Sequence, residues 1–163
     1  MLERNFVAIL RALNAGDVKF VLVGGLAAAL DGAPVTTYDV DVVHARDDAN
    51  VQRLVAVLAD LDAIFRFQPD RRLKPLASHL AGRGHLNLTT LYGPLDLLGT
   101  IGQNLGFEEL LQHSAELDIG EGVRIKVLDL ETLIVLKEQL GGDRDRAMLP
   151  ILRRTLEERR KKP

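Results

Sequence analysis

Residues 20–43 read FVLVGGLAAALDGAPVTTYDVDVV, and the six from Tyr38 to Val43 decide how the rest is to be understood. Asp39 and Asp41 alternate there with Val40, Val42 and Val43, in a stretch whose β-branched residues predict a buried strand. Residues two apart on a strand face the same way, roughly 7 Å apart, so the spacing predicts two parallel carboxylates on one face and valines toward the core on the other. Like charges held that close repel, and partial burial raises the cost. A hard divalent cation such as Mg²⁺ would compensate, because it takes oxygen ligands from one or two carboxylates and completes its shell with water and phosphate. The plainer alternative is a strand with one wet face and two solvated acids.

Upstream, Val18 to Val23 is an apolar run that predicts a strand, and Gly24 and Gly25 follow it directly before the short helical stretch LAAALDG. Absent side chains and free backbone N–H groups at such a junction let a phosphate approach a helix start, although a glycine pair alone is also an ordinary turn. Farther upstream, Leu2, Phe6, Ile9, Leu10 and Leu13 keep helical spacing, ended by Gly16 and Asp17.

Downstream, Asp47 or Asp48 caps an amphipathic helix carrying Val51, Leu54, Val55, Leu58 and Leu61. Residues 68–84, QPDRRLKPLASHLAGRG, hold five basic side chains and two prolines without a period, which predicts a mobile loop. Next, HLNLTTL from His85 and a return through Leu95 to Leu98 predict a hairpin turning at Tyr92, Gly93 and Pro94. Asp96 interrupts this second apolar strand as Asp39 and Asp41 interrupt the first. Three acids on neighbouring strands could hold two metal ions about 4 Å apart, an arrangement suited to phosphoryl transfer.

GFEELLQH predicts a short helix, and AELDI and VRIKVLD a second strand pair across the GEG turn. Asp129 then caps a helix bearing Leu130, Leu133, Ile134, Lys137 and Leu140, with Lys137 on its apolar stripe, where it either meets a triphosphate or snorkels to solvent. A last helix from about Asp143 carries Pro150, expected to kink or restart it.

The whole predicts an α+β fold: a small mixed or antiparallel sheet flanked by helices, with a helical C-terminus. At 163 residues, with 47% hydrophobic and 27% charged positions, the chain supports one core, so a single domain is expected over 1–163, with an α+β core at 1–128 and a helical extension at 129–163. Zero cysteines exclude disulfides and thiolate metal sites and fit a reducing compartment. The start of the chain lacks a signal-peptide layout and the longest apolar run is too short to span a bilayer, so a soluble cytoplasmic protein is expected. A net charge of −2 gives no global attraction for nucleic acid, and the basic stretch RRTLEERRKK reads as a solvated helix end. The four histidines show no metal-ligand spacing and are expected at the surface or in loops.

VGGLAAALDG followed by TTYDVDVV resembles the glycine pair and T-x-D-x-D motif of the polymerase-beta-like nucleotidyltransferase superfamily, in particular its small stand-alone bacterial members and the nucleotidyltransferase toxins of toxin–antitoxin pairs. The resemblance covers most of the chain. It implies metal binding and catalysis by Asp39, Asp41 and Asp96, and phosphate binding by Gly24 and Gly25. Thr37 would position the motif strand, and Lys137 would lie near the nucleotide. It further implies two Mg²⁺ ions, a nucleoside triphosphate such as ATP as donor, an acceptor hydroxyl on RNA, protein or a small molecule, and an antitoxin partner where the chain is a toxin. The chain departs from the pattern at Val35, where many members have arginine, and at Asp31, where histidine is usual. The alternative is a non-catalytic module that keeps the fold for nucleotide sensing or protein contact.

Overall fold

A computed structural model describes residues 5–162. The first helix, α1 (Phe6–Ala15), begins at Asn5, whose side chain accepts from the Ala8 N–H, and buries Ile9, Leu10 and Leu13. Leu2, the predicted start of that stripe, lies outside the described residues.

Chain order continues β1 (Phe20–Val23), α2 (Gly24–Leu30), β2 (Val40–His44), α3 (Asp48–Asp60), β3 (Ile64–Phe65), a 3₁₀ turn (Pro69–Arg71), α4 (Ala77–Leu80), β4 (His85–Thr90), β5 (Gly93–Leu98), α5 (Phe107–Leu111), β6 (Ser114–Asp118), β7 (Arg124–Leu128), α6 (Leu130–Leu140) and α7 (Asp143–Lys161). The strands form one seven-stranded sheet in the order β3-β4-β5-β2-β1-β7-β6. It is mixed: β2 runs parallel to β5 and β1 parallel to β7, while the other neighbours are antiparallel. The expected α+β architecture is the one observed.

The three central strands, β5, β2 and β1, are apolar enough to be buried. Val21, Leu22, Val40, Val42, Val43, Leu95 and Leu97 are completely inaccessible to solvent, which makes the acids beside them conspicuous. Capping follows the sequence closely: Asp47 accepts from the Asn50 N–H at α3, and Asp129 from the Thr132 N–H at α6.

Three expectations change. Residues 68–84 are structured, holding the 3₁₀ turn and α4, because buried Leu80 packs into the core and its carbonyl accepts from Nε2 of His44. His44 itself is buried at the end of β2, where a surface or loop position was expected. And α7 runs through Pro150 without a break. Pro150 is solvent-exposed, so water can satisfy the Arg146 carbonyl that loses its N–H partner. Among the described residues, no helix is long and apolar enough to cross a membrane.

Candidate active site

Register brings the acids together. In the parallel pair β2–β5, Asp41 lies directly opposite Asp96; across β1–β2 it faces Val23, and across β4–β5 Asp96 faces Asn87. Directly paired residues share a sheet face, so Val23, Asp41, Asp96 and Asn87 form one row over four strands. Asp39 sits just before β2, on the same side as Asp41 by alternation. Oxygens from Asp39, Asp41 and Asp96 all lie within 4.8 Å of one another.

Electrostatics is strained accordingly. Burial, then the charge of Asp39 and the proximity of Asp96, push the Asp41 carboxyl up to about 8. Asp39 is raised as well, by burial first and then by Asp96, with Arg66 opposing. Arg66, immediately after β3, is the residue that sequence reasoning missed. Its guanidinium donates to Asp96 Oδ1 at 2.6 Å and to the Leu88 carbonyl at 2.9 Å. One guanidinium against three carboxylates leaves a formal charge of −2 when all three are ionised. That residual charge and the all-oxygen donor set fit a divalent cation.

Arg66→Met removes the guanidinium that touches the cluster and leaves a nearly buried carboxylate uncompensated. The variant is expected to lose about 2–3 kcal/mol of stability in EDTA, and to regain part of it on addition of Mg²⁺. Differential scanning calorimetry with and without the ion checks this.

The glycine pair is fixed by what lies against it. Gly24 has φ +72°, and a Cβ there would run into the Asp41 carboxylate. At Gly25 a Cβ would meet Thr37 Oγ1 at 3.2 Å. The glycines thus let the start of α2 close down on the acidic strand. Gly24→Ala should cost about 1–2 kcal/mol through φ alone. It should also displace Asp41, so that divalent-ion binding measured by calorimetry falls more than stability does.

Thr37 donates from Oγ1 to the Asp39 carbonyl at 3.0 Å, tying the segment before β2 into a tight turn. Lys137, on α6, points to the same region but is ion-paired with Asp145 of α7 at 3.1 Å. Gly24, Gly25, Thr37, Asp39, Asp41 and Lys137 line one cavity of about 310 Å³, together with Arg144, which sequence reasoning also missed. Asp96 opens instead onto a second cavity of about 260 Å³, which shares Gly24, Asp41 and Lys137 with the first. The two departures from the superfamily pattern lie outside both cavities. Val35 packs against the core, and Asp31 caps the far end of α2, where burial lifts its carboxyl to about 6 against the lowering effect of Arg159.

No protein-family model and no curated protein matches the chain. Solved structures do. The chain superposes on the crystal structure of the lincosamide antibiotic adenylyltransferase LnuA, lincomycin-bound, with a TM-score of 0.59 at 16% identity, covering 91% of this chain and 94% of that one. It also superposes on a protein from Thermotoga maritima assigned as a nucleotidyltransferase, with a TM-score of 0.57 at 19% identity, covering 94% of this chain and 91% of that one. The fold is therefore the polymerase-beta-like nucleotidyltransferase fold. On that fold this chain carries three convergent carboxylates and a glycine pair packed against them.

Proposed function

We propose that the protein is a Mg²⁺-dependent nucleotidyltransferase that moves a nucleoside monophosphate from a nucleoside triphosphate to an acceptor hydroxyl and releases pyrophosphate. The observation that carries this reading is the carboxylate cluster, two members of which border one cavity while Asp96 borders the adjoining one. The acceptor oxygen attacks the α-phosphorus, and the bond from that phosphorus to the bridging oxygen breaks toward pyrophosphate.

Asp39 and Asp41 would hold Mg²⁺, with Asp96 sharing a second ion. When bound, the ions supply charge neutralisation on the phosphates and acidify the attacking hydroxyl. The chain's own groups position the reactants. Gly24 and Gly25 expose backbone to the β and γ phosphates, and Lys137 and Arg144 bring positive charge to the same cavity. Arg66 engages Oδ1 of Asp96, so Oδ2 is the oxygen left to take the acceptor hydroxyl's proton. Thr37 holds the turn that presents Asp39.

The Arg66–Asp96 pair is also what a non-catalytic relative would use to tolerate an empty acidic cluster. The two acids left without a cation partner favour the enzyme, because such a relative gains nothing by keeping them at this cost. The test supplies Mg²⁺, each α-³²P-labelled nucleoside triphosphate in turn and a cell extract; ATP comes first because LnuA is an adenylyltransferase. Transfer of label is expected, and its loss in the Asp39→Ala, Asp41→Ala double variant. Absence of transfer with every triphosphate, in a protein that still binds nucleotide, would establish the non-catalytic reading.

A further inference from the structure

We infer that the acceptor is a small molecule with an apolar body and a hydroxyl group, seated in the cavity onto which Asp96 opens. This rests on the transfer reading above and narrows its acceptor class.

The two cavities adjoin at Asp41 and differ sharply in chemistry. The one bearing the glycine pair and Arg144 is lined by polar and charged groups suited to a triphosphate. The other is walled by Leu98, Ile101, Leu133, Leu136 and Leu140, with its polar groups gathered at the sheet face. Asn87 stands directly opposite Asp96 there, and His85 donates from Nε2 to the Thr100 carbonyl at 2.9 Å. Apolar walls with a few convergent polar groups are the composition of a small-molecule site, and about 260 Å³ lies just under the usual range of about 300–1,000 Å³.

A nucleic-acid strand needs the opposite lining. Phosphates are gripped by clustered lysine and arginine, and bases stack on aromatic rings. Among the described residues, Lys137 is the only lysine or arginine lining this cavity, and it is paired with Asp145. No phenylalanine, tyrosine or tryptophan among the described residues lines it. Away from this cavity, at the β3 end of the sheet, Arg72 pairs with Asp62 at 2.8 Å and Arg71 donates to Gln68.

The geometry fits an in-line displacement. With the triphosphate in the polar cavity and its α-phosphate at Asp39 and Asp41, a hydroxyl beside Asp96 approaches from the adjoining one. The acceptor oxygen forms the new bond to the α-phosphorus, its proton passes to Asp96, and pyrophosphate leaves with the bridging oxygen's electron pair.

The experiment divides a cell extract into low-mass filtrate, total RNA and total protein. Each is incubated with the full chain, Mg²⁺ and α-³²P-labelled nucleoside triphosphate. Label is expected in the filtrate, on a species whose mass is that of the acceptor plus a nucleoside monophosphate less one water. Label on RNA or protein with a blank filtrate overturns the inference and leaves transfer standing. Label nowhere overturns transfer and the inference together. Leu140 is mostly exposed at the rim of the cavity, so Leu140→Asp is expected to fold. It should raise the acceptor KM about tenfold, while the thermal shift on triphosphate binding stays as in the parent. An unchanged acceptor KM would show that the acceptor sits elsewhere.

Discussion

Asp41→Asn is expected to slow nucleotidyl transfer by about 10³-fold or more while making the metal-free protein more heat-stable. The first effect follows from the charge a metal ligand contributes, since transition-state stabilisation of several kcal/mol by a bound ion corresponds to at least three powers of ten in rate. The second follows from the register. Asp41 lies opposite Asp96 on the neighbouring strand and close to Asp39, so without an ion the folded state either carries a repulsion or holds a proton at Asp41, a cost the unfolded chain does not bear. Asparagine keeps the shape and removes that cost. Each kcal/mol recovered is worth about 2–4 °C in Tm for a domain of this size. A variant slower and less stable than the parent would assign Asp41 a structural role instead.

Divalent-ion binding should strengthen steeply with pH and release protons. Asp41 holds its proton up to about pH 8 in the folded chain, against an ordinary value of 3.8. Between those values the folded state binds more protons than the unfolded one, so the contribution of this group to stability falls as pH rises across that window and levels off above it. An incoming cation must displace the proton below about pH 8. Affinity should therefore rise by up to about tenfold per pH unit, about 100-fold from pH 6 to pH 8, and then flatten. Calorimetric titration of Mn²⁺ in buffers of different ionisation enthalpy measures both the affinity and the protons released. An affinity that is flat over this range would place the ion away from Asp41.

Much of this site was legible before any coordinates, because acids that break apolar strands stand out against valine and leucine. Asp39, Asp41 and Asp96 were found that way, and the glycine pair by its place between a strand and a helix. The close approach that requires those glycines was not legible, since it depends on Asp41 and Thr37 folding back beneath α2. Nor was the pairing of Asp41 with Asp96. It needs β5 to lie parallel to β2 after α3, β3, α4 and β4 have intervened, and local periodicity carries no such information. Arg66 escaped for a related reason. It follows a two-residue strand, too short to show alternation, and its partner lies 30 positions away. The segment 68–84 read as a loop because its 3₁₀ turn and four-residue helix are each shorter than the window over which periodicity can be seen. Leu80 is the residue of this segment that is fully buried.

The carboxylate cluster as a metal-dependent nucleotidyl-transfer centre is most directly examined by anomalous diffraction from crystals grown with Mn²⁺ and α,β-methylene ATP. The account predicts manganese peaks about 2.0–2.3 Å from oxygens of Asp39 and Asp41, with the triphosphate running toward Gly24 and Gly25 and an oxygen of Asp96 coordinating a second ion. Triphosphate bound elsewhere, with no manganese at these carboxylates, would contradict it.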